Sequence, residues 1–423
     1  FSWVPSLRRI LFSPFTHALL ADAATRELAG ETIYSDLQVR DLQTDTVLGI
    51  REALPAIRGQ IVLEGESGLG KSIYVRSLAT NSDRVTVFLP AMKCSEGVLP
   101  AILLKVEGLA ADETFIKSLI YSGGIDICID GLNEVDPQTV ATICDFAERF
   151  VHANLVLTTQ PMQWTPPSTA RRLELLPLSE TCSREFLVSR QATLAKDAPV
   201  TGDAFERACE DFWAHRHDRA VTEQQRVVID QTLANPMDLT TVAISISRGI
   251  QPDVKRLLDQ QFELVQEQYR HERLGSEFPL TQFAAAVYKM RLVDECQISD
   301  DFRRELECLE SHKFVVVRRR TSPGGETRRW FFRHDKTMEY FILRVFLEDE
   351  QIQLAHVADP RFRGVYSLLA DALEMHSVHR LKDLLVQHAI KSNDVSTLSA
   401  FIDQLDRRCV NPPKDVSPRR RSA

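Results

Sequence analysis

None of the eight cysteines forms a C-x-x-C pair, and none has the spacing of a zinc ligand set. No apolar run approaches the ~18 residues of a membrane span, so no transmembrane segment is expected within the chain. No long polar tract interrupts a globular composition, 44% hydrophobic and 26% charged. A basic excess is missing too: the formal charge of −8 and pI near 5.8 argue against a dedicated nucleic-acid binder, although a local basic patch stays open. The chain begins at Phe1 rather than Met, so it reads as a fragment or a processed chain. Its 423 residues suggest two to four domains.

What is present is concentrated between residues 60 and 72. Ile61, Val62 and Leu63 form a short apolar run that reads as a buried strand. Gly65-x-x-x-x-Gly70-Lys71-Ser72 follows, the full pattern of a phosphate-binding loop. Glycines let successive backbone N–H groups curl around phosphate oxygens with no Cβ in the way. A helix opening at Lys71 turns its positive end toward the same anion. Gly65, Glu66, Ser67, Gly68, Leu69 and Gly70 are the loop candidates. Lys71 would reach the β- and γ-phosphates, and the Ser72 hydroxyl would ligate Mg²⁺. The alternative is a plain glycine turn, but the motif sits where its mechanism requires, after a strand and at the opening of a helix. The loop reads phosphates and not the base, so the choice of ATP and ADP is an inference.

From Gln60 the pattern alternates strand and helix, the signature of a parallel sheet covered on both faces. Strands are expected at Ile61–Leu63, Val85–Leu89, Ile125–Asp130, Leu155–Thr159 and Leu173–Leu178, giving about five. Ahead of them, Phe1–Phe15 reads as a packing segment, Thr16–Leu28 as helical and Thr44–Leu54 as a short helix. The third strand ends in Asp130, which matches the Walker B pattern whose aspartate holds Mg²⁺. Glu134, just beyond, is a carboxylate that could orient or deprotonate an attacking water. Residues 179–272 read as helices. Helices over 279–293 and 300–311, followed by strands at Phe314–Arg318 and Arg328–Phe332, suggest a winged helix. Residues 350–405 look helical again and could start a recognition array. Arg318, Arg319, Arg320, Arg328, Arg329 and Arg333 cluster on the hairpin, a patch that could meet phosphates but more often is a solvated face. His215 and His217 read as solvated, and the triplet Arg419-Arg420-Arg421 as a tail.

Ile127-Cys128-Ile129-Asp130-Gly131-Leu132-Asn133-Glu134 resembles the Walker B of NACHT-type NTPases, where a small residue follows the aspartate and acids come three and four places later. Asp130, Gly131 and Glu134 match; Asn133 stands where the family more often has an acid. Leu157-Thr158-Thr159-Gln160-Pro161 resembles the family's sensor strand, with Gln160 in place of its arginine. The resemblance makes Thr159 and Gln160 nucleotide-site candidates. Ala234-Asn235-Pro236-Met237-Asp238-Leu239 resembles the element whose proline packs near the adenine, which nominates Pro236; an ordinary helix start is the even alternative. Phe332-Arg333-His334-Asp335-Lys336-Thr337-Met338-Glu339-Tyr340-Phe341 resembles the closing motif of the winged helix. In many family members that histidine reaches the β-phosphate of ADP, so His334 becomes the candidate latch, while Met338, Tyr340 and Phe341 are expected in the core.

The resemblance covers about residues 45–349 and implies a signal-transducing NTPase with numerous domains. The expected division is a lead-in at 1–58, a P-loop nucleotide-binding domain at 59–178, a helical domain at 179–272, a winged helix at 273–349 and a C-terminal helical segment with tail at 350–423. The expected fold class is therefore α/β, a P-loop NTPase parallel sheet followed by helical and winged-helix domains and C-terminal helices. The expected function is an ATP/ADP switch with Mg²⁺ and slow hydrolysis, which oligomerises on activation. Its effector and sensor domains are expected outside the fragment, in immune or antiviral defence or programmed cell death. A continuously cycling ATPase and a non-hydrolysing scaffold are the alternatives. Nucleic acid is not expected as a partner. Scattered cysteines in a nucleotide-using chain point to a reducing compartment, the cytoplasm.

Overall fold

A computed structural model describes residues 37–410, apart from 83, 106–111, 163, 195–197, 219, 221, 255, 273–274, 294–297, 323–324 and 393. The lead-in over 1–36 and the arginine tail lie outside the described residues, as do the side chains of Arg318, Arg319 and Arg320.

The elements run β1 (Gln38–Asp41), β2 (Thr46–Gly49), α1 (Ile50–Ala53), β3 (Gln60–Glu64), α2 (Lys71–Asn81), β4 (Thr86–Pro90), α3 (Val98–Leu103) and α4 (Glu113–Tyr121). Then come β5 (Asp126–Asp130), α5 (Pro137–Arg149), β6 (Asn154–Thr159) and β7 (Arg171–Leu175). A helical stretch follows: α6 (Glu180–Ser189), α7 (Asp203–Ala214), α8 (Glu223–Leu233), α9 (Pro236–Ser247) and α10 (Leu257–Glu272). The winged-helix unit is α11 (Leu280–Leu292), α12 (Arg303–Ser311), the antiparallel pair β8 (Val315–Ser322) and β9 (Gly325–Phe332), and α13 (Asp335–Glu348). The described residues end in α14 (Glu350–Ala355), α15 (Arg363–Ala372), α16 (Met375–Ser392) and α17 (Ser396–Val410).

The main sheet has seven strands in the order β2-β1-β7-β3-β6-β5-β4. The five from β7 to β4 are parallel. The near-continuous apolar runs of β3 and β5 are buried along their length, as expected for a parallel sheet covered on both faces. The two extra strands correct the expectation of a helix over Thr44–Leu54. Within that stretch, residues 44–49 give the turn and second strand of a hairpin whose first strand, β1, pairs with β7, and only Ile50–Ala53 is helical. Thr44, Thr46 and Val47 favour extended backbone, Asp45 takes the left-handed turn conformation at φ 54°, and the side chains of Val39 and Asp41 alternate into the interior.

Polar groups pin this edge together. Asp41 is 4% exposed, accepts hydrogen bonds from the Gln43 and Thr44 amides at 2.9 and 3.3 Å, and pairs with Arg171 Nε at 2.7 Å. Burial works to raise its carboxyl, but the Arg171 guanidinium and the two amides together hold it below the usual carboxylate range. Across the sheet, Gln60 is buried at the start of β3 and satisfied: its amide donates to Ala147 O and Phe150 O at 2.6 and 3.1 Å and accepts from Thr169 Oγ1 at 2.7 Å. Tyr74 of α2 donates to Leu54 O at 2.7 Å, tying the helix after the loop to the segment before it.

Three hydrophobic cores form among the described residues. One face of the sheet packs on α3, α4 and α5, through residues such as Ile102, Ile116 and Ile143. The other packs on α2 and the helices α6–α9, through Val75, Phe186, Phe205 and Leu239. The third core joins the winged-helix unit to the C-terminal helices: Phe262, Phe283, Phe341, Phe346, Tyr366 and Phe401 belong to one cluster. Met338, Tyr340 and Phe341 are buried in it, as their sequence context suggested.

Asp41→Asn is expected to lower stability at pH 7 by roughly 1–3 kcal/mol, the value of a hydrogen bond to a charged group. Because the folded carboxyl titrates below its unfolded value, the stability it contributes is present above pH ~4 and lost as the pH falls through the folded value. Urea unfolding of the two proteins should therefore differ at pH 7 and converge toward pH 3.

Candidate nucleotide site

Register brings the loop strand, the acid strand and the threonine strand to one edge. Glu64 of β3 pairs with Thr159 of β6, and Ile129 of β5 with Leu157 of β6, so Glu64, Asp130 and Thr159 close their strands together. β6 lies between β3 and β5, which separates the phosphate loop from Asp130 by one strand and inserts threonines between them.

α2 opens at Lys71 with no side-chain cap on its first turn. Lys71 is 8% exposed, and its ammonium donates to Gly65 O at 2.6 Å and Glu66 O at 2.7 Å. Burial pushes this amine down to about 8, while Asp130, Asp335, Glu134 and Glu66 pull it back up. Ser72 Oγ donates to Asp130 Oδ1 at 2.9 Å. Thr158 Oγ1 donates to the same oxygen and accepts from the Gly131 amide at 3.1 Å. Arg76 lies 3.5 Å from the other Asp130 oxygen. Gly131 is at φ 84°, and a Cβ there would meet Glu134 Oε1 at 2.9 Å. This is a physical reason for a small residue after the aspartate.

The segment beyond Asp130 is held from several sides. Asn133 Oδ1 accepts from the Gln160 amide at 3.1 Å, and Asn133 O accepts from Arg363 of α15 at 3.4 Å. Glu134 is three-quarters buried and pairs with Arg291 of α11 at 3.7 Å. Burial, then the neighbouring Asp335 carboxyl, push the Glu134 carboxyl well above its ordinary value, and Arg291 works in the opposite direction.

His334 occupies the N-cap position of α13 without capping through its side chain. Burial, with Arg333, Arg76 and Lys336 nearby, pushes its imidazole down to about 3, so it is neutral at pH 7. A neutral imidazole can donate or accept one hydrogen bond at each nitrogen, according to tautomer. Its neighbour Lys336 pairs with the buried Asp238 of α9 at 2.8 Å.

The remaining sequence candidates are distributed as follows. The Leu69 side chain points into the sheet core. Glu66 is exposed, 3.8 Å from Arg407 of α17. Thr159 is fully buried and donates to Gln160 O at 2.9 Å, so Thr158 rather than Thr159 touches the acid. Pro236 opens α9 behind the N-cap Asn235. Asn235 accepts from the Met237 amide at 3.0 Å and donates to Ser67 O at 2.7 Å, so it belongs to the loop's support as well as to a helix start. His215 and His217 hydrogen-bond to Asp211 O and Asp230, and no metal-binding group of three or more His, Cys, Asp or Glu occurs among the described residues.

An open cleft of about 2400 Å³ runs past this edge, lined by Ser67, Glu134, Gln160, Asn235 and Asp335 among others. The donor set fits a magnesium–nucleotide. Ser72 Oγ and Asp130 Oδ1 are oxygen donors side by side, the kind of ligand magnesium would take. Lys71 is a desolvated cation, and a phosphate beside it would move its pKa back toward the ordinary value.

The motif from Gly65 to Ser72 joins β3 to α2 within a parallel sheet, the setting a phosphate-binding loop requires. No family model matches the sequence, and no curated protein matches it. Among solved structures, a signal-transduction ATPase with numerous domains bearing a tetratricopeptide repeat sensor, from Pyrococcus horikoshii, is 12% identical with a TM-score of 0.35, over 91% of this chain and 70% of its own. The RuvB Holliday junction branch migration motor of Thermotoga maritima is 15% identical with a TM-score of 0.26, over 65% of this chain and 86% of its own. Likenesses this loose assign no residue a role. No helix among the described residues is long and apolar enough to cross a membrane.

Gly68 sits at φ 83°, and a Cβ there would lie 2.5 Å from Asn235 Oδ1. Gly68→Ala is expected to cost roughly 1–3 kcal/mol through strain and overlap, and Asn235→Ala about 1–2 kcal/mol through loss of the cap. At Gly49 a Cβ would meet nothing within 4 Å, so Gly49→Ala should change stability by less than about 0.5 kcal/mol. Thermal unfolding of the three variants tests the ranking.

Proposed function

We propose that this chain is a nucleotide-controlled switch of the NACHT type, within the signal-transducing NTPases with numerous domains. One observation carries the reading. The first turn of α13, in the winged-helix unit, brings Asp335 into the electrostatic surroundings of both Lys71 and Glu134. A nucleotide whose phosphates lie against Lys71 would touch the winged-helix unit as well as the sheet. It could therefore bind docked and undocked arrangements with different affinity, which is what a ligand must do to shift such an equilibrium.

In this reading Lys71 and the loop from Gly65 to Gly70 hold the phosphates, and Ser72 and Asp130 hold Mg²⁺. The metal, when bound, neutralises charge on the β- and γ-phosphate oxygens. Glu134 orients or deprotonates the attacking water. Asn133 and Gln160, in the places of an acid and an arginine, fit slow turnover. Thr159 and Pro236 complete the nucleotide contacts in this reading, and Pro236 would flank the base. His334, neutral and beside Arg76, is the hydrogen-bonding group that senses the β-phosphate of ADP. Exchange for ATP releases the winged-helix unit, permits homo-oligomerisation and activates an effector outside this chain, in immune or antiviral defence or programmed cell death. The division into a nucleotide-binding domain to 178, a helical domain to 272, a winged helix to 349 and a helical tail belongs to the same proposal.

Lys71→Ala is expected to weaken Mg²⁺–ATP binding roughly 100-fold, the loss of a charged hydrogen-bonding contact, measured by calorimetry. His334→Ala is expected to form oligomers without added ligand, read by light scattering. A His334→Ala protein that stays monomeric and keeps its ADP contradicts the latch role.

A further inference from the structure

The winged-helix unit meets the acid segment of the sheet through a buried arginine. Arg291 lies in the last turn of α11, is 6% exposed, and reaches Glu134 Oε2 at 3.7 Å. Its neighbours fix its position. Its Nε donates to Arg361 O at 3.3 Å, and its own carbonyl accepts from Arg361 Nη1 at 3.4 Å. Arg361 also donates to Leu292 O at 2.8 Å and is gripped by both carboxylate oxygens of Asp359, the shortest contact being 2.7 Å. The guanidinium is thus held by the winged-helix unit and the segment before α15, and it presents its charge to another part of the molecule.

That charge faces a local excess of acid. The Asp335 carboxyl from α13 and, more weakly, Asp130 both act on Glu134, and the Lys71 ammonium lies in the field of all three. Asp130 is already engaged by Ser72, Thr158 and Arg76. Glu339, one turn along α13, also lies in the field of Asp335 and Arg291, and packs so closely on Gly364 of α15 that a Cβ there would overlap its carboxyl. Lys336, the cation on the same turn, is committed to Asp238. Two carboxyl groups side by side out of water repel unless a cation or a proton stands with them.

We infer that Arg291 is a positioning residue for Glu134, and that its contact is what allows the winged-helix unit to dock with Asp335 against the acid segment. The inference rests on the switch reading for its purpose: an engaged Glu134 is kept from the water it would activate, and a shift of the unit by a few ångströms frees it. The charge balance itself stands without nucleotide.

The test uses the full chain without added nucleotide and reads hydrogen exchange of the backbone amides of residues 335–348. Arg291→Gln is expected to raise exchange there at least tenfold, because Glu134 and Asp335 then lose the Arg291 charge and keep only Lys71, whose ammonium is held by Gly65 O and Glu66 O. Arg291→Lys, which keeps the charge, should restore most of the protection. Arg291→Gln combined with Glu134→Gln should also return toward the unaltered chain, since a carboxamide does not repel Asp335. A merely structural arginine would not be rescued by the second change. Equal exchange in the single and double variants overturns the inference, as does an Arg291→Gln protein with unaltered protection. If Arg291→Gln fails to fold, a double variant that folds supports the charge argument, and one that fails equally contradicts it. Binding of Mg²⁺–ATP by the unaltered chain tests the switch reading separately.

Discussion

A carboxylate taken out of water needs a cation, a hydrogen-bond shell or a proton, and the carboxyl edge of the main sheet gathers several. Asp130 has a shell made by its own domain: Ser72 from the loop helix, Thr158 from the neighbouring strand and Arg76 one turn on. Glu134 has less of one, and its ion pair comes from α11, more than 150 positions later in the chain. The balance of charge at the loop is therefore shared between the sheet and the winged-helix unit. In the proposed switch, a ligand that adds phosphate or magnesium charge there would act on both parts that share the balance.

The scaffold around it is correspondingly stiff. β3 is fixed at its start by Gln60 against the end of α5, and α2 is tied by Tyr74 to the segment that precedes β3. Asn235 joins the phosphate loop to the first turn of α9, and Lys336 joins α13 to the same helix through Asp238. The winged-helix unit shares an aromatic core with the C-terminal helices, in which Phe283 and Phe341 meet edge to face at 4.9 Å. A movement of α13 would thus carry α15 with it and loosen the Arg363 contact to Asn133.

Much of this was legible in the sequence where chemistry is local. The loop, the strand ending in Asp130 and the proline-led helix at Pro236 each follow from residues within a few positions of one another. The hairpin of β1 and β2 was missed because Thr44–Leu54 is short, and a strand on a sheet edge takes its shape from the pairing partner rather than from its own periodicity. Thr158, which meets Asp130, carries no local sign of that contact, because adjacent strand residues face opposite sides and only the packing of β6 beside β5 brings it to the acid. Asn235 and Arg291 were invisible for a different reason. Their partners, Ser67 and Glu134, lie 168 and 157 positions away, and nothing in either local pattern distinguishes a cap or a core arginine from a site residue.

The central claim is that the phosphate loop and the winged-helix unit together hold a nucleotide as part of a switch. The most direct measurement is to purify the chain without added nucleotide, denature it and identify what is released by chromatography. The account predicts close to one ADP per chain. A chain that releases nothing and also fails to bind ATP with Mg²⁺ would contradict it.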